Sequence, residues 1–214
     1  MRYLIVCGGK IDKEFGLNEI KTDGIDVIIA ADSGMDFLYE NGVTPDIIVG
    51  DFDSTTTNAL EYFERKGQTE IRKLNPIKDD TDTEYAIRLA ISEGARSIVV
   101  LGATGSRIDH VLGNISLLGI GLESKADISI IDTNNRIRMA DKPVTIEKSA
   151  QYGRFVSLIA VTDDNEVSLR GFKYPVTDYS FDRSTSLGIS NEIVDDQAVV
   201  DIHRGKFIII ESKD

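Results

Sequence analysis

Ile47-Ile48-Val49-Gly50-Asp51-Phe52-Asp53-Ser54 runs from an apolar stretch straight into two carboxylates placed two residues apart. The apolar part reads as the end of a buried strand, and a helix-like segment follows from Thr56. In an extended segment, side chains two apart point the same way, so Asp51 and Asp53 face a common point. Two carboxylates about 4 Å apart repel by roughly 4 kcal/mol at an effective dielectric of about 20. A divalent cation would offset that repulsion. The competing reading is a solvated acidic turn, and the surrounding chain decides between the two.

Upstream and downstream, short apolar runs recur at 3–6, 27–30, 47–49, 71–74, 98–101 and 128–131. Helical patterns lie between them at 56–66, 83–93 and 108–122, where Leu60 and Phe63, then Ala86, Leu89 and Ala90, fall at helical spacing. Continuous apolar strands separated by helices predict a parallel sheet covered on both faces. Ser54 to Thr57 and Asp80-Thr81-Asp82 supply helix caps. After Asp132 the helical rhythm stops. Segments 144–147, 155–161, 166–169, 198–202 and 207–211 read as strands joined by Gly, Asp and Asn turns. The fold class is therefore α/β: a Rossmann-like parallel-sheet domain over 1–135, then a small all-β sandwich or barrel over 136–214. The boundary falls within 134–143.

Composition narrows the function classes. The net charge is -12, from 36 acidic against 24 basic residues, which argues against a general nucleic-acid binder. It also makes an anionic substrate awkward unless a metal bridges the two. The single cysteine, Cys7, excludes an internal disulfide, and its apolar surroundings mark it as a buried thiol rather than a nucleophile. The apolar start stops at Gly8-Gly9-Lys10, too short for a signal-peptide core, and no run approaches the roughly 20 residues of a membrane span. A cytoplasmic protein with no membrane partner is expected.

In an open parallel sheet, ligands bind beyond the carboxyl ends of the strands. Five such ends here carry polar groups: Gly8-Gly9, Asp32-Ser33-Gly34, Asp51-Phe52-Asp53-Ser54, Lys78-Asp79-Asp80-Thr81-Asp82 and Gly102-Ala103-Thr104-Gly105-Ser106-Arg107. Each alone could be an ordinary turn or cap; five at one edge point to a site. The last suits a phosphate. Gly102 and Gly105 let backbone amides approach an anion around Thr104, the helix near Ile108 adds its positive end, and Arg107 supplies a charged fork. The turn lacks the ending of a Walker A loop, and Gly8-Gly9 is not a dinucleotide turn. Asp109 and His110 lie at the same edge, His110 reading equally as a phosphate contact or a structural histidine. His203 reads as exposed. Asp82 can join Asp51 and Asp53 around a cation, and this hard-oxygen set favours Mg2+ over zinc.

Together, Ala31-Asp32-Ser33-Gly34, Pro45-Asp46 leading into Gly50-Asp51-Phe52-Asp53-Ser54, Lys78-Asp79-Asp80-Thr81-Asp82 and Gly105-Ser106-Arg107-Ile108-Asp109-His110 resemble the thiamine pyrophosphokinases in their shorter bacterial form. Ser186-Leu187-Gly188-Ile189-Ser190-Asn191-Glu192 is similar to that family's thiamine-binding segment, so the resemblance spans nearly the whole chain in order. It implies transfer of the β,γ-pyrophosphoryl group of ATP to the thiamine hydroxyl, giving thiamine diphosphate and AMP. It also implies a homodimer whose sites form where one chain's α/β domain meets the other's β domain. Carried over by position, Asp51, Asp53 and Asp82 hold Mg2+, with Asp109 a further candidate. Asp79 and Arg107 position the nucleotide, and Asp32 stands with the phosphate-binding residues. Ser186, Ser190 and Asn191 contact thiamine. Asp53 or Asp79 accepts the hydroxyl proton.

The chain departs from the family near Ser33 and Asp36, where a second glycine and an asparagine are common. It also lacks tryptophan, which some members stack on thiamine. Tyr174, Tyr179 or Phe181 are the possible replacements, though packing is their more ordinary use. Two rival functions are a metal-dependent phosphohydrolase and a non-catalytic nucleotide-sensing module. A simple hydrolase need not carry the separate β half with Ser186 to Asn191, whereas a sensing module would use that half to dock a partner.

Overall fold

The computed structural model describes residues 1–52, 58–75 and 80–214, and the chain divides into two compact units, Met1–Thr133 and Asn134–Asp214. In the first, strands and helices alternate: β1 (Arg2–Val6), α1 (Lys13–Ile20), β2 (Val27–Ala31), α2 (Gly34–Glu40), β3 (Ile47–Gly50), α3 (Ala59–Lys66), β4 (Glu70–Lys73), α4 (Asp82–Ser92), β5 (Ser97–Leu101), α5 (Ile108–Ser124) and β6 (Asp127–Ile131). The strands of this unit are ordered β6-β5-β1-β2-β3-β4, and every pairing among them is parallel.

The apolar runs make these strands because a sheet covered on both faces must be apolar on both sides. Leu4, Ile5 and Val6 of β1, Ile48 and Val49 of β3, and Ile98 and Leu101 of β5 are essentially inaccessible to solvent. One cluster joins Leu4, Val6, Ala30 and Ile48 of the sheet to Met35 and Leu38 of α2 and to Ala59 and Phe63 of α3. At the far edge, Glu-Ile-Arg-Lys in β4 leaves its ends exposed, a charged finish that discourages further strand pairing.

Order matters more than content for the site. From β1 the chain winds through β2, β3 and β4 on one side, then returns to β5 and β6 on the other. The reversal between β1 and β5 is the topological switch point, where connections diverge and leave a crevice beyond the strand ends.

The second unit contains β7 (Asn135–Ala140), β8 (Val144–Glu147), β9 (Phe155–Ala160), β10 (Glu166–Arg170), β11 (Val176–Ser180), β12 (Asn191–Glu192), β13 (Gln197–Arg204) and β14 (Phe207–Ser212). Within it, β12-β9-β14-β7 form one antiparallel layer and β11-β10-β13-β8 another. Their inward residues share one core: Val156, Leu158, Phe207 and Ile209 from the first, Val167, Leu169, Ala198 and Val200 from the second. This is the expected small β-sandwich.

Local differences from the sequence reading have physical causes. Helices α1 and α2 went unread: α2 starts at Gly34, only two residues after β2, and its N-cap Ser33 makes no side-chain capping bond. Strand β7 occupies much of the stretch read as a boundary, because its charged Arg136 and Arg138 look like linker until their partner is known. That partner is Glu211, fully buried on the neighbouring β14; both arginines bond it, at 2.7 and 2.8 Å. Strand β11 (Val-Thr-Asp-Tyr-Ser) is an exposed edge with no apolar alternation to reveal it.

Candidate active site

Loops after β1 and β5 interlock at the switch point. Gly9 N–H donates to the Gly102 carbonyl at 2.9 Å, and Cys7 N–H to the Leu101 carbonyl at 2.8 Å. Gly102 has φ +69° and faces the Cys7 carbonyl, so a side chain there would be both strained and obstructed. Asn114, on α5, donates its amide to the Ala103 carbonyl at 2.8 Å and ties the turn to the helix. No side chain caps the start of α5 at Arg107, which leaves first-turn amides available to an anion. These loops open onto a cavity of about 730 Å³. Its walls include Gly8, Gly9 and Lys10 after β1, Asp32 and Ser33 after β2, Thr81 to Glu84 at the start of α4, and the turn from Gly102 to Arg107.

Three carboxylates gather at the same edge. Asp32, Asp51 and Asp82 each offer an oxygen, and the three oxygens lie within 4.8 Å of one another; all three residues are half-buried. Adjacent parallel strands bring the first two together, since Ala31 pairs with Val49. The third comes from the first turn of α4, which Thr81 starts by accepting the Glu84 N–H at 3.2 Å. Backbone strain marks the spot: Asp32 has φ +48° and Phe52 +65°, both in the left-handed region that ordinary side chains avoid. Each pair in such a trio repels by a few kcal/mol, roughly 4 at about 4 Å and an effective dielectric of about 20. An all-oxygen donor set of this kind suits a hard divalent cation.

The left-handed turn at Phe52 also changes one sequence argument. The period-two rule that paired Asp51 with Asp53 needs an extended chain, and β3 ends at Gly50. Asp53 and Asp79 lie outside the described residues. Asp32, read from sequence as a phosphate contact, lines the cavity and also lies with Asp51 and Asp82. Its position at the end of β2, next to β3, was the signal that could have revealed this.

Thr104, Gly105, Arg107, Asp109 and His110 all line the cavity. Arg107 grips Asp109 with two bonds, Nη2 to Oδ2 at 2.6 Å and Nε to Oδ1 at 3.2 Å. That guanidinium holds the Asp109 carboxyl down at about 2. Burial pushes the Cys7 thiol up to about 11, partly countered by the Thr83 hydroxyl, which donates to its sulfur. Lys10 was not singled out from sequence.

In the second unit, Ser186 is exposed beside Leu187 and Ile189, large apolar side chains left in water. Gly188 accepts the Leu158 N–H at 2.9 Å, and Ser190, at φ +60°, donates its N–H to the Ser157 hydroxyl at 3.0 Å. Asn191 is buried. Its Oδ1 accepts Tyr174 N–H at 3.1 Å and its Nδ2 donates to the Tyr174 carbonyl at 2.9 Å, so this amide fixes the Tyr174 loop. Tyr174 and Tyr179 are exposed. Phe181 is buried edge-to-face against Phe207, centroids 5.7 Å apart, and belongs to the core.

Comparison with known proteins adds an independent line. Residues 21–130 match the family model "Thiamin pyrophosphokinase, catalytic domain", and residues 143–207 match "Thiamin pyrophosphokinase, vitamin B1 binding domain". Thiamine pyrophosphokinase of Bacillus subtilis is 34% identical over 195 residues, covering 90% of each chain. Its crystal structure superposes with a TM-score of 0.88 at 31% identity over the whole of both chains. The thiamin pyrophosphokinase of Geobacillus thermodenitrificans gives 0.86 at 29% identity, covering all of this chain and 98% of the other. The Candida albicans enzyme, at 21% identity and a TM-score of 0.80 over 99% of this chain and 90% of its own, shares the fold.

Proposed function

This chain belongs to the thiamine pyrophosphokinase family, and from that premise we propose that it transfers the β,γ-pyrophosphoryl group of ATP to the hydroxyl of thiamine. The products are thiamine diphosphate and AMP. The observation that carries the reading is the meeting of Asp32, Asp51 and Asp82 at the sheet edge that also bears the glycine turn.

The chemistry asks little covalent work of the protein, because the attacking group is an alcohol of the substrate. Positioning and charge stabilisation carry the rate. Asp32, Asp51 and Asp82 hold Mg2+, and Asp53 joins them as the family pattern implies. The ion, when bound, supplies positive charge to the phosphate oxygens. The backbone of Gly102 to Gly105 and the first turn of α5 cradle the phosphate chain, with Arg107, Asp109 and His110 around it. Asp79 positions the nucleotide, and either Asp53 or Asp79 takes the proton of the attacking hydroxyl. Ser186 and Ser190 contact thiamine, while Asn191 acts by holding the Tyr174 loop. The protein works as a homodimer.

Purified protein supplied with Mg-ATP and thiamine tests this directly. Thiamine diphosphate and AMP should appear one to one. Phosphate release that ignores thiamine would favour a phosphohydrolase, and Mg-ATP binding without AMP a sensing module.

A further inference from the structure

We infer that Lys10 is a substrate-binding residue that holds the phosphate chain of the nucleotide at the switch point. This rests on the kinase reading above and adds a residue that reading does not assign.

The placement follows from topology. Lys10 is the first charged residue after β1, the strand at which the winding reverses, and it lines the cavity with the glycine turn, Asp32 and Asp82. The two residues before it are held without side chains. A Cβ on Gly8 would meet the Ser33 hydroxyl, and one on Gly9 would meet the Gly102 and Thr104 carbonyls. Lys10 therefore leaves a backbone fixed directly against the phosphate turn.

Charge selects it among the cavity's cations. Arg107 is already committed to Asp109 through two bonds. Lys10 makes no ion pair with any described residue. The nearest carboxylate in sequence, Asp12, accepts the Phe15 N–H at 2.9 Å as the N-cap of α1. The other acidic wall residue outside the trio, Glu84, pairs with Arg88 at 2.7 Å.

A triphosphate with one divalent cation still carries net negative charge, and it enters a protein of net charge -12. An ammonium with three rotatable donors answers that charge without requiring one fixed geometry. Its contribution is to binding, so it should register in nucleotide affinity and leave thiamine recognition alone.

Calorimetric titration of Mg-ATP into the wild type, Lys10→Ala, Lys10→Arg and the neighbouring Lys13→Ala tests this, with KM for each substrate measured in parallel. Loss of one charge-assisted contact predicts about tenfold weaker Mg-ATP binding for Lys10→Ala. Lys10→Arg should stay close to wild type, Lys13→Ala should match it, and KM for thiamine should not move. Mg-ATP affinity of Lys10→Ala equal to wild type would overturn the assignment. So would an equal loss in Lys13→Ala, which would reveal only the general field of surface charge, or a matching rise in the thiamine KM. A wild type that binds Mg-ATP but forms no thiamine diphosphate would overturn the kinase reading, while the lysine comparison would still report on nucleotide binding.

Discussion

Asp82 shows how a single side chain serves fold and site together: it opens α4 behind the Thr81 cap and reaches Asp32 and Asp51 with one oxygen. Replacing it with asparagine keeps the size and hydrogen bonding but removes the charge. Turnover should fall by roughly a hundredfold or more, as losses of transition-state charge stabilisation do, with the melting temperature nearly unchanged. Steady-state kinetics beside thermal unfolding checks this. Cys7 gives a pH-dependent counterpart. Its buried thiol stays protonated up to about 11, against 9 for an ordinary cysteine. Stability from this group is intact below pH 9 and declines as pH rises from 9 toward 11, because the unfolded chain ionises first. Iodoacetamide at pH 8 should label native protein negligibly and label it fully in denaturing urea. Rapid labelling of folded protein would show that the thiol is not sequestered.

At the scale of elements, β1, β2, β3, β5 and β6 were legible because strands buried on both faces must be nearly continuous apolar runs. Their polar ends were legible too, since a parallel sheet puts functional groups at one edge. What escaped had a reason in each case. The partnership of Asp32 with Asp51 depends on β2 lying beside β3, which is a property of strand order rather than of spacing. Strand β7 was hidden because Arg136 and Arg138 read as solvated charges, whereas both bond the buried Glu211 on β14. That cluster also receives the Tyr152 N–H at 2.9 Å. Glu211→Ala should destabilise the chain by roughly 2–3 kcal/mol in urea unfolding, less than for a wholly buried pair because the arginines remain partly in water. A loss below about 0.5 kcal/mol, the usual bound for surface substitutions, would show the cluster to be energetically idle.

For the whole molecule, two units of different architecture present two kinds of surface: an acidic, glycine-lined edge in one and an exposed loop with Leu187 and Ile189 in the other. Exposed Ile108 and Leu112, 65% and 61% accessible, begin α5 beside the proposed phosphate cradle. Apolar side chains left in water on both units accord with a homodimer, and light scattering at micromolar concentration should return twice the 23.6 kDa chain mass. A monomer that turns over at the full rate would exclude that part of the proposal.

The claim on which the account turns is that Asp32, Asp51 and Asp82 together receive a metal–nucleotide complex. Titrating Mn2+ with ATP into wild type, Asp51→Asn and Asp82→Asn, followed by electron paramagnetic resonance, tests it most directly. The account predicts that wild type takes up the complex and that each variant, folded by circular dichroism, binds it at least about tenfold more weakly. Equal uptake by folded variants would contradict it.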